Sequence, residues 1–423
     1  MSGISRRRLL TTAALAAAGT PALALLGAPA WADYDSAYQA AFAATVTNDP
    51  NVRRYTTPRR EFLYRPRQLL VGKSDVDRVL QRLRQLGYVV SRKDGFGGVV
   101  RLVFDREVDV PGIVAVLRDP KQWDTGGVPA VQPHHVTVGY GNIMGNPDGP
   151  PTVDAPLPDP DPARLGEGLG VVVGVCDTGI WHDAAQVHPL WLGGAYTAKS
   201  TDEDPLYLYS DVLALEGGHG TFVAGVLRQA APGVSFAPHP ALNPSGIGDE
   251  EMLVGTLSTA AAQGPIVNLS LGCYTQDDVP PLPIANTLAA LPTGVVVVAA
   301  AGNAGTSRPA WPAAFPTVLG VAAVTTAGGA TVPAPYSNFG GWVDACATGE
   351  WVSTYVKGEM LLTGEAPLVF GGFARWAGTS FATPWVAGRL ARLMTAKGYS
   401  APDAQAILLS PGPWRPDYGV LVS

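Results

Sequence analysis

Apolar positions between residues 60 and 140 follow two different periods. Around 74–87 and 109–119 they recur every three or four residues, as on one face of a helix. Ser74 can cap the first helix, with Asp77 three residues on, and Gly87 can end it. Short apolar runs predict four strands, at 67–72, 88–93, 98–104 and 129–138. The order β-α-β-β-α-β predicts a small α+β unit with two helices on one face of a four-stranded sheet.

From residue 169 onwards the apolar runs become continuous, which is typical of buried parallel strands. Such runs lie at 170–177, 265–272, 295–303 and 317–324. Helical patterns stand between them, at 249–264, 284–294, 378–398 and in a segment beginning at residue 219. This alternation predicts an α/β fold with a parallel sheet and helices on both faces. In such sheets ligands bind at the carboxyl ends of the strands.

The chain of 423 residues divides into four parts. Residues 1–32 combine three arginines with an alanine-rich apolar stretch and end in "AWA", the pattern of a secretory signal peptide. Arg6 and Arg7 after Ser5 also suit the twin-arginine variant. A membrane anchor is the alternative, but Thr11, Gly19 and other polar or turn-forming residues interrupt the stretch. Residues 33–140 form the α+β unit, 141–168 a Pro/Gly-rich linker or surface arm, and 169–423 the α/β body.

The α+β unit and the rest of the chain differ in net charge. Residues 33–140 have a net charge of +4, whereas residues 141–423 have a net charge of −13. This difference predicts electrostatic attraction between the two parts, although ordinary variation in surface composition is an equal alternative. Nothing is basic enough to indicate nucleic-acid binding. No segment after the signal has the unbroken apolar length of a membrane span, so the mature protein is expected to be secreted.

Three polar residues fall at predicted strand ends or helix starts. Asp177 follows a buried strand in "VCDTGI", His219 precedes a helix in "GGHGTFVAG", and Ser380 precedes a helix in "AGTSFATPWVAG". Each alone is more often a turn or cap residue. Together they supply an orienting acid, a general base and a nucleophile, the composition of a catalytic triad.

These three motifs, in the order Asp…His…Ser, resemble the signatures of the subtilisin-like serine peptidases, the subtilases. The resemblance extends over about residues 170–400. It implies acyl-enzyme chemistry on a peptide or protein substrate, with Asn303 and the Ser380 backbone N–H binding the oxyanion. It also implies that Ser270, Leu271 and Gly272 pair with the substrate backbone. The opposite side of the specificity pocket would be lined by Ala300, Ala301 and Gly302, with Trp311 near its base.

Some positions depart from the usual pattern of the family. Phe222, Phe381, Thr383 and Trp385 replace residues that the family commonly has, and we interpret them as repacking behind the catalytic atoms. The insert 186–218 is either a specificity loop or a surface insertion without consequence. A β-α-β-β-α-β unit after a signal peptide resembles the propeptides of the family, a ferredoxin-like arrangement. Residues 134–142 would then lie in the cleft, and self-cleavage is expected between about 138 and 165, with Tyr140 as the preferred position.

Three alternatives remain. A peptide ligase or cyclase of the same fold shares the first half-reaction. A sedolisin-like acid peptidase is disfavoured because His219 stands where the glutamate base would be. An inactive secreted binding protein is disfavoured because all four of Asp177, His219, Asn303 and Ser380 are present. Activity is expected to fall below about pH 6–7, because the histidine must be neutral.

No cofactor is expected. The resemblance allows structural calcium, for which Asp202, Glu203 and Asp204 are candidates by composition, although a solvated acidic loop is the favoured interpretation. The other histidines have no zinc-site spacing. Of the three cysteines, Cys176 is expected to be buried. If a disulfide exists, Cys273–Cys346 is the expected pair.

Overall fold

The computed structural model describes residues 30–57, 60–124, 126–139, 149–207, 211–410 and 412–423. Most of the predicted signal peptide therefore lies outside the described residues. None of the described helices is long and apolar enough to cross a bilayer.

The α+β unit of residues 33–140, called the front unit below, contains the predicted helices and strands and two additional elements, α1 and β1. Its helices and strands are α1 (Ala30–Asn48), β1 (Arg53–Thr56), β2 (Glu61–Gly72), α2 (Val76–Gln85), β3 (Val90–Lys93), β4 (Val99–Phe104), α3 (Val110–Leu117) and β5 (Val131–His135). The antiparallel sheet has the order β1-β2-β4-β3, and β5 also pairs with β2. Apolar side chains of α2 and α3 pack with those of β2, β4 and β5 in one cluster. The predicted order is thus confirmed.

Two details of this unit differ from the prediction. Ser74 does not cap α2, which begins at Val76 after a short 3-10 turn. The Asp75 carboxylate at this point instead accepts hydrogen bonds from Arg78 and from the Ala130 backbone N–H. The other difference is α1, which begins at Ala30 and so overlaps the predicted signal cleavage site by three residues. Its periodicity was hidden by small residues that give little apolar contrast.

The body is a large sheet between helices. Its elements are β6 (Thr152–Val153), β7 (Val172–Asp177), α4 (Ala184–Val187), α5 (His219–Ala230), β8 (Ser235–Pro240), α6 (Glu250–Gln263), β9 (Ile266–Leu269), α7 (Leu282–Ala289), β10 (Val296–Ala300), β11 (Val318–Ala327), β12 (Ala330–Pro333), β13 (Ala345–Thr348), β14 (Glu350–Met360), β15 (Leu368–Ala377), α8 (Thr379–Lys397), α9 (Ala401–Leu409), β16 (Trp414–Arg415) and β17 (Gly419–Leu421).

Strands β8-β7-β9-β10-β11-β13-β17 lie side by side in this order, and all of these neighbours pair in parallel. Apolar residues of α5 and α8 pack on one face of the sheet, and those of α6 and α7 on the other. The predicted doubly covered parallel sheet is therefore confirmed. The hairpin β14–β15, which the sequence did not reveal, pairs with β6 of the surface arm.

Ion pairs join the basic front unit to the acidic body. Arg65 contacts Asp249 at 2.9 Å, and Arg60 contacts Asp277 at 3.0 Å. Arg101 also pairs with Glu251. A fully buried carboxylate, Glu250, accepts a hydrogen bond of 2.7 Å from the Gln132 side chain. The predicted attraction between the two parts thus corresponds to specific contacts.

The expected Cys273–Cys346 disulfide is wrong. All three cysteines are free and buried. Cys273 packs with the cluster under α6 and α7, whereas Cys346 on β13 belongs to a different cluster, so the two sulfur atoms lie in separate parts of the core. Cys176 is fully buried, as predicted.

Candidate active site

Asp177 and His219 meet at the carboxyl end of β7. His219 is the first residue of α5, and its Nδ1 lies 2.7 Å from Asp177 Oδ1. The same oxygen accepts the Thr178 backbone N–H at 2.7 Å. Both side chains are almost completely buried. This contact fixes the imidazole so that its Nε2, the second nitrogen, faces away from the aspartate.

Glycines flank His219 because neighbouring elements come too close for a β-carbon. Gly218 has φ +87°, and a β-carbon there would lie 2.7 Å from Val356 Cγ1 on β14. A β-carbon on Gly220 would lie 2.0 Å from the Gly179 carbonyl oxygen. The glycine-rich motif therefore lets α5 begin between β14 and the end of β7, where its first side chain reaches Asp177.

Ser380 lies in the first turn of α8, next to the end of β9. Its Oγ is 3.5 Å from the Ser270 carbonyl oxygen. In return the Ser270 hydroxyl donates to the Ser380 carbonyl oxygen at 2.8 Å. The backbone N–H of a residue at this helical position has no acceptor within the helix. Among the described residues, no hydrogen bond joins Ser380 Oγ to His219, although the rings of Phe381 and His219 are 5.2 Å apart.

Asn303 follows the carboxyl end of β10. Its Oδ1 accepts hydrogen bonds from the Thr379 backbone N–H at 2.9 Å and from the Thr379 hydroxyl at 2.8 Å. The start of α8 engages the carbonyl oxygen of the amide, and the other branch, Nδ2, is a hydrogen-bond donor. This arrangement places an amide donor and the Ser380 N–H near one another.

A segment of the front unit occupies the groove beside these residues. Val138 lies antiparallel to Gly272, with hydrogen bonds of 2.8 and 2.9 Å in the two directions. On its other side, Gly139 donates to the Gly246 carbonyl oxygen at 2.9 Å and the Gly248 N–H donates to the Thr137 carbonyl oxygen at 2.8 Å. Residues 136–139, the cleft strand, therefore form an added strand between the loops after β8 and β9.

The remaining predicted substrate residues lie around this groove. Leu271, Ala300 and Ala301 are completely buried, and Gly302 has φ +99°. Because β9 and β10 are parallel neighbours, their carboxyl ends bring 270–272 and 300–303 to one edge of the sheet. The Trp311 backbone pairs with Cys273 through bonds of 2.7 and 2.9 Å, so its segment lies directly beside residues 270–272.

Aromatic side chains fill the space behind the imidazole. The Trp376 ring on β15 meets His219 edge-on at 5.1 Å, and Phe222 and Phe381 are 4.5 Å apart. The Trp385 ring stacks on Trp351 at 4.6 Å, and the Thr383 hydroxyl donates to the Thr379 carbonyl oxygen. These contacts are consistent with the interpretation of the four positions as repacking, which stays a prediction. Trp376 was missed because nothing in the sequence links β15 to this face.

Two buried carboxylates lie in the insert 186–218: Asp204, which was expected only as a calcium candidate, and Glu216, which the sequence did not reveal. Asp204 accepts hydrogen bonds from the Thr178 hydroxyl at 2.6 Å and from the Gly218 N–H at 2.8 Å, so it fastens the insert to both sides of the site. Glu216 Oε2 is 3.9 Å from His219 Nε2. Burial raises the pKa of Glu216 to about 7, and burial raises the pKa of Asp204 to about 6.

The pKa of His219 reflects this environment. Burial lowers it, but the negative charges of Asp177 and Glu216 outweigh burial and raise the pKa to about 9. With the cleft strand in place, the imidazole is therefore mostly protonated at neutral pH. A protonated imidazole cannot accept the proton of a serine hydroxyl.

Among the described residues, no group of three or more His, Cys, Asp or Glu side chains could hold a metal ion. The three calcium candidates do not converge. The Asp204 carboxylate binds Thr178 and Gly218, while Asp202 accepts the Lys199 N–H and Glu203 is exposed. Calcium binding stays a prediction.

Comparison with known proteins identifies the class. The model of the subtilase family, peptidase S8, matches residues 168–410. Thermitase from Thermoactinomyces vulgaris is 30% identical over 259 residues, which cover 58% of this chain and 81% of thermitase. A thermophilic serine proteinase from Bacillus sp. (strain AK1) is 31% identical over 54% of this chain, but the match covers only 53% of that relative.

A solved structure shares the fold of this chain. The crystal structure of fervidolysin from Fervidobacterium pennivorans, described as a keratinolytic enzyme related to subtilisin, superimposes with a TM-score of 0.58 at 23% identity. The match covers 85% of this chain and 60% of fervidolysin. The chain belongs to the subtilase family, and its enzyme class is that of the subtilisin-like serine endopeptidases.

Proposed function

We propose that the chain is a secreted serine endopeptidase that is made as a self-processed zymogen. Residues 1–32 would direct export, residues 33–140 would serve as its propeptide, and the released body would hydrolyse peptide bonds in protein substrates. The observation that carries the proposal is the cleft strand, which is paired with Gly272 and Gly246 in the groove that begins at Ser270, the neighbour of Ser380.

Ser380 Oγ attacks the carbonyl carbon of the bond to be cleaved, while His219 Nε2 accepts its proton. Asp177, bound to Nδ1 at 2.7 Å, keeps the imidazole in the tautomer with a free Nε2 and stabilises the imidazolium that forms. The Asn303 amide and the Ser380 N–H donate to the developing oxyanion. The imidazolium then protonates the leaving amine, and water releases the acyl group by the reverse sequence.

The direction of the cleft strand bears on the cleavage position. Val138 lies opposite Gly272, so the antiparallel pairing directs the chain from Val138 through Gly139 toward Ser270. The Ser270 carbonyl is the group that lies 3.5 Å from the nucleophile. Tyr140, the expected cleavage position, lies outside the described residues, and the direction of the cleft strand supports cleavage just beyond Gly139.

The test is the intact mass and N-terminal sequence of the secreted protein, compared with a Ser380→Ala variant. We expect the wild type to lose the front unit, with a new amino terminus at Gly141, and the variant to keep it. Equal processing of both proteins would show that another protease matures the chain. A wild-type protein that retains residues 33–138 would refute the propeptide assignment.

A further inference from the structure

Glu216 presents an unsatisfied carboxylate oxygen to the cleft strand. The side chain is only 2% exposed. Its Oε1 lies 2.9 Å from the Tyr38 hydroxyl of α1, whereas no described residue donates a hydrogen bond to its Oε2. A buried charged oxygen without a donor is costly for the folded state. Glu216 therefore lies where a donor from outside the described chain would be favourable.

The groove directs one substrate position toward this oxygen. A β-carbon at position 139 would lie 3.8 Å from Glu216 Oε2. It would also lie 2.8 Å from Leu242 Cδ1, so the end of this side chain must shift to admit it. A β-carbon on Gly246 would come within 2.5 Å of Glu216 Cγ, so this glycine leaves the space in which the carboxylate lies. A side chain that takes the place of Gly139 therefore begins in van der Waals contact with the Glu216 carboxylate.

The surrounding charge is negative. Asp177 and Asp204 are buried near Glu216, and both raise its pKa through their charges. His219 is the cation that faces this group. Three buried carboxylates with one imidazole favour a positive group in the adjoining cleft. The Tyr38 hydroxyl provides only a neutral donor, and it belongs to the front unit.

We propose that Glu216 forms the base of a substrate subsite that takes the cationic side chain of lysine or arginine at P2. P2 is the residue that precedes the one contributing the cleaved carbonyl, and with the proposed cleavage after Tyr140 this residue is Gly139. The inference rests on the proposed function, since α1 and the cleft strand must leave before a substrate can bind. The lysine or arginine stem passes Oε2, and its charged end takes the place of the Tyr38 hydroxyl at Oε1.

The front unit fills this subsite in two separate pieces. Gly139 contributes backbone hydrogen bonds but no side chain, and Tyr38 covers the carboxylate from α1. A substrate with a basic P2 residue would supply both the backbone hydrogen bonds and the donor to the Glu216 carboxylate from one peptide. Its charge would also offset that of Glu216 beside His219, which favours the neutral imidazole that catalysis requires.

The experiment uses the processed enzyme and the peptides Thr-Val-Arg-Tyr and Thr-Val-citrulline-Tyr, each with a p-nitroanilide leaving group. The sequence follows residues 137–140, and citrulline has nearly the shape of arginine without its charge. We expect kcat/KM to be at least about tenfold higher for the arginine peptide, as for a charged hydrogen-bonded pair. In Glu216→Gln the ratio of the two values should fall to about one, whatever the absolute rate.

Each outcome decides between the proposals. Hydrolysis of both peptides at equal rates by the wild-type enzyme overturns the subsite but leaves the peptidase proposal standing. A ratio that persists in Glu216→Gln assigns the preference to another group and also overturns it. Hydrolysis of neither peptide, together with unprocessed wild-type chain, overturns the proposed function itself. If Glu216→Gln does not fold, the wild-type ratio still decides the question, since a ratio of about one overturns the subsite.

Discussion

The pH dependence of self-processing depends on the charges around His219. The imidazole must be neutral before Nε2 can accept the Ser380 proton, so the processing rate rises as pH passes through the pKa of His219. Burial lowers this pKa, but Asp177, Glu216 and Asp204 outweigh burial and raise it to about 9. We therefore expect self-processing to increase up to about pH 9, rather than to level off above pH 6–7 as the sequence alone predicts.

Replacing Glu216 by glutamine removes one of these charges. Glu216 Oε2 lies 3.9 Å from His219 Nε2. Two unit charges about 4 Å apart interact by about 4 kcal/mol at an effective dielectric constant of about 20, and one pKa unit corresponds to about 1.4 kcal/mol. The pH at which self-processing rises should thus be about one to three units lower in Glu216→Gln than in the wild type. Since burial raises the pKa of Glu216 itself to about 7, the two proteins should differ most between pH 7 and pH 9.

The assay follows the intact mass of the full chain with time from pH 5 to pH 10. Ser380→Ala is the control for processing by other proteases. Glu203→Gln, which removes an exposed charge from the same insert, should leave the pH at which self-processing rises unchanged. A midpoint near pH 6.5 for wild-type self-processing would refute the assignment of Glu216 as a group that raises the pKa of His219. Identical pH profiles for the wild type and Glu216→Gln would refute it as well.

Three further predictions concern the oxyanion donor, the first helix and the thiols. Asn303→Ala should slow self-processing by about 10²- to 10³-fold, and a loss below tenfold in a mass-resolved time course would contradict its role. Phe42 on α1 is completely buried, so Phe42→Ala should lower the free energy of unfolding of the Ser380→Ala full chain by about 3–5 kcal/mol. Thermal unfolding measures this change, and Ala44→Ser, at an exposed position of the same helix, should have no such effect. The three cysteines should resist a thiol reagent until the protein unfolds, because burial raises the pKa of Cys176 to about 12 and that of Cys346 to about 11; rapid native labelling of any of them would count against their burial.

The elements that sequence reasoning located are those whose pattern is local. The buried run before Asp177 and the glycine-bounded start of α5 each specify one strand or helix within a few residues. Parallel pairing then brings their ends together. The same holds for α2 and α3 of the front unit, although α2 begins two residues later than Ser74 suggested. Helix and strand identity follow from periodicity, whereas caps depend on competing contacts such as the Asp75–Arg78 pair.

Residues that the sequence did not reveal reach the site from distant parts of the chain. Tyr38 contacts Glu216 across 178 positions. Trp376 meets His219 only because the hairpin β14–β15 folds over α5. No local period encodes such contacts, and a lone tyrosine on an alanine-rich helix does not differ from any other.

This difference bears on how specificity arises in the chain. The residues proposed to perform the chemistry lie at strand ends and helix starts of the sheet, where backbone geometry holds them. Glu216 lies instead in the insert, close enough to His219 to alter the base and close enough to position 139 to meet a substrate side chain. Recognition and base strength are thus coupled through one carboxylate. A substitution there should change the pH profile and the P2 preference together, whereas a residue that only shapes the pocket would change the preference alone.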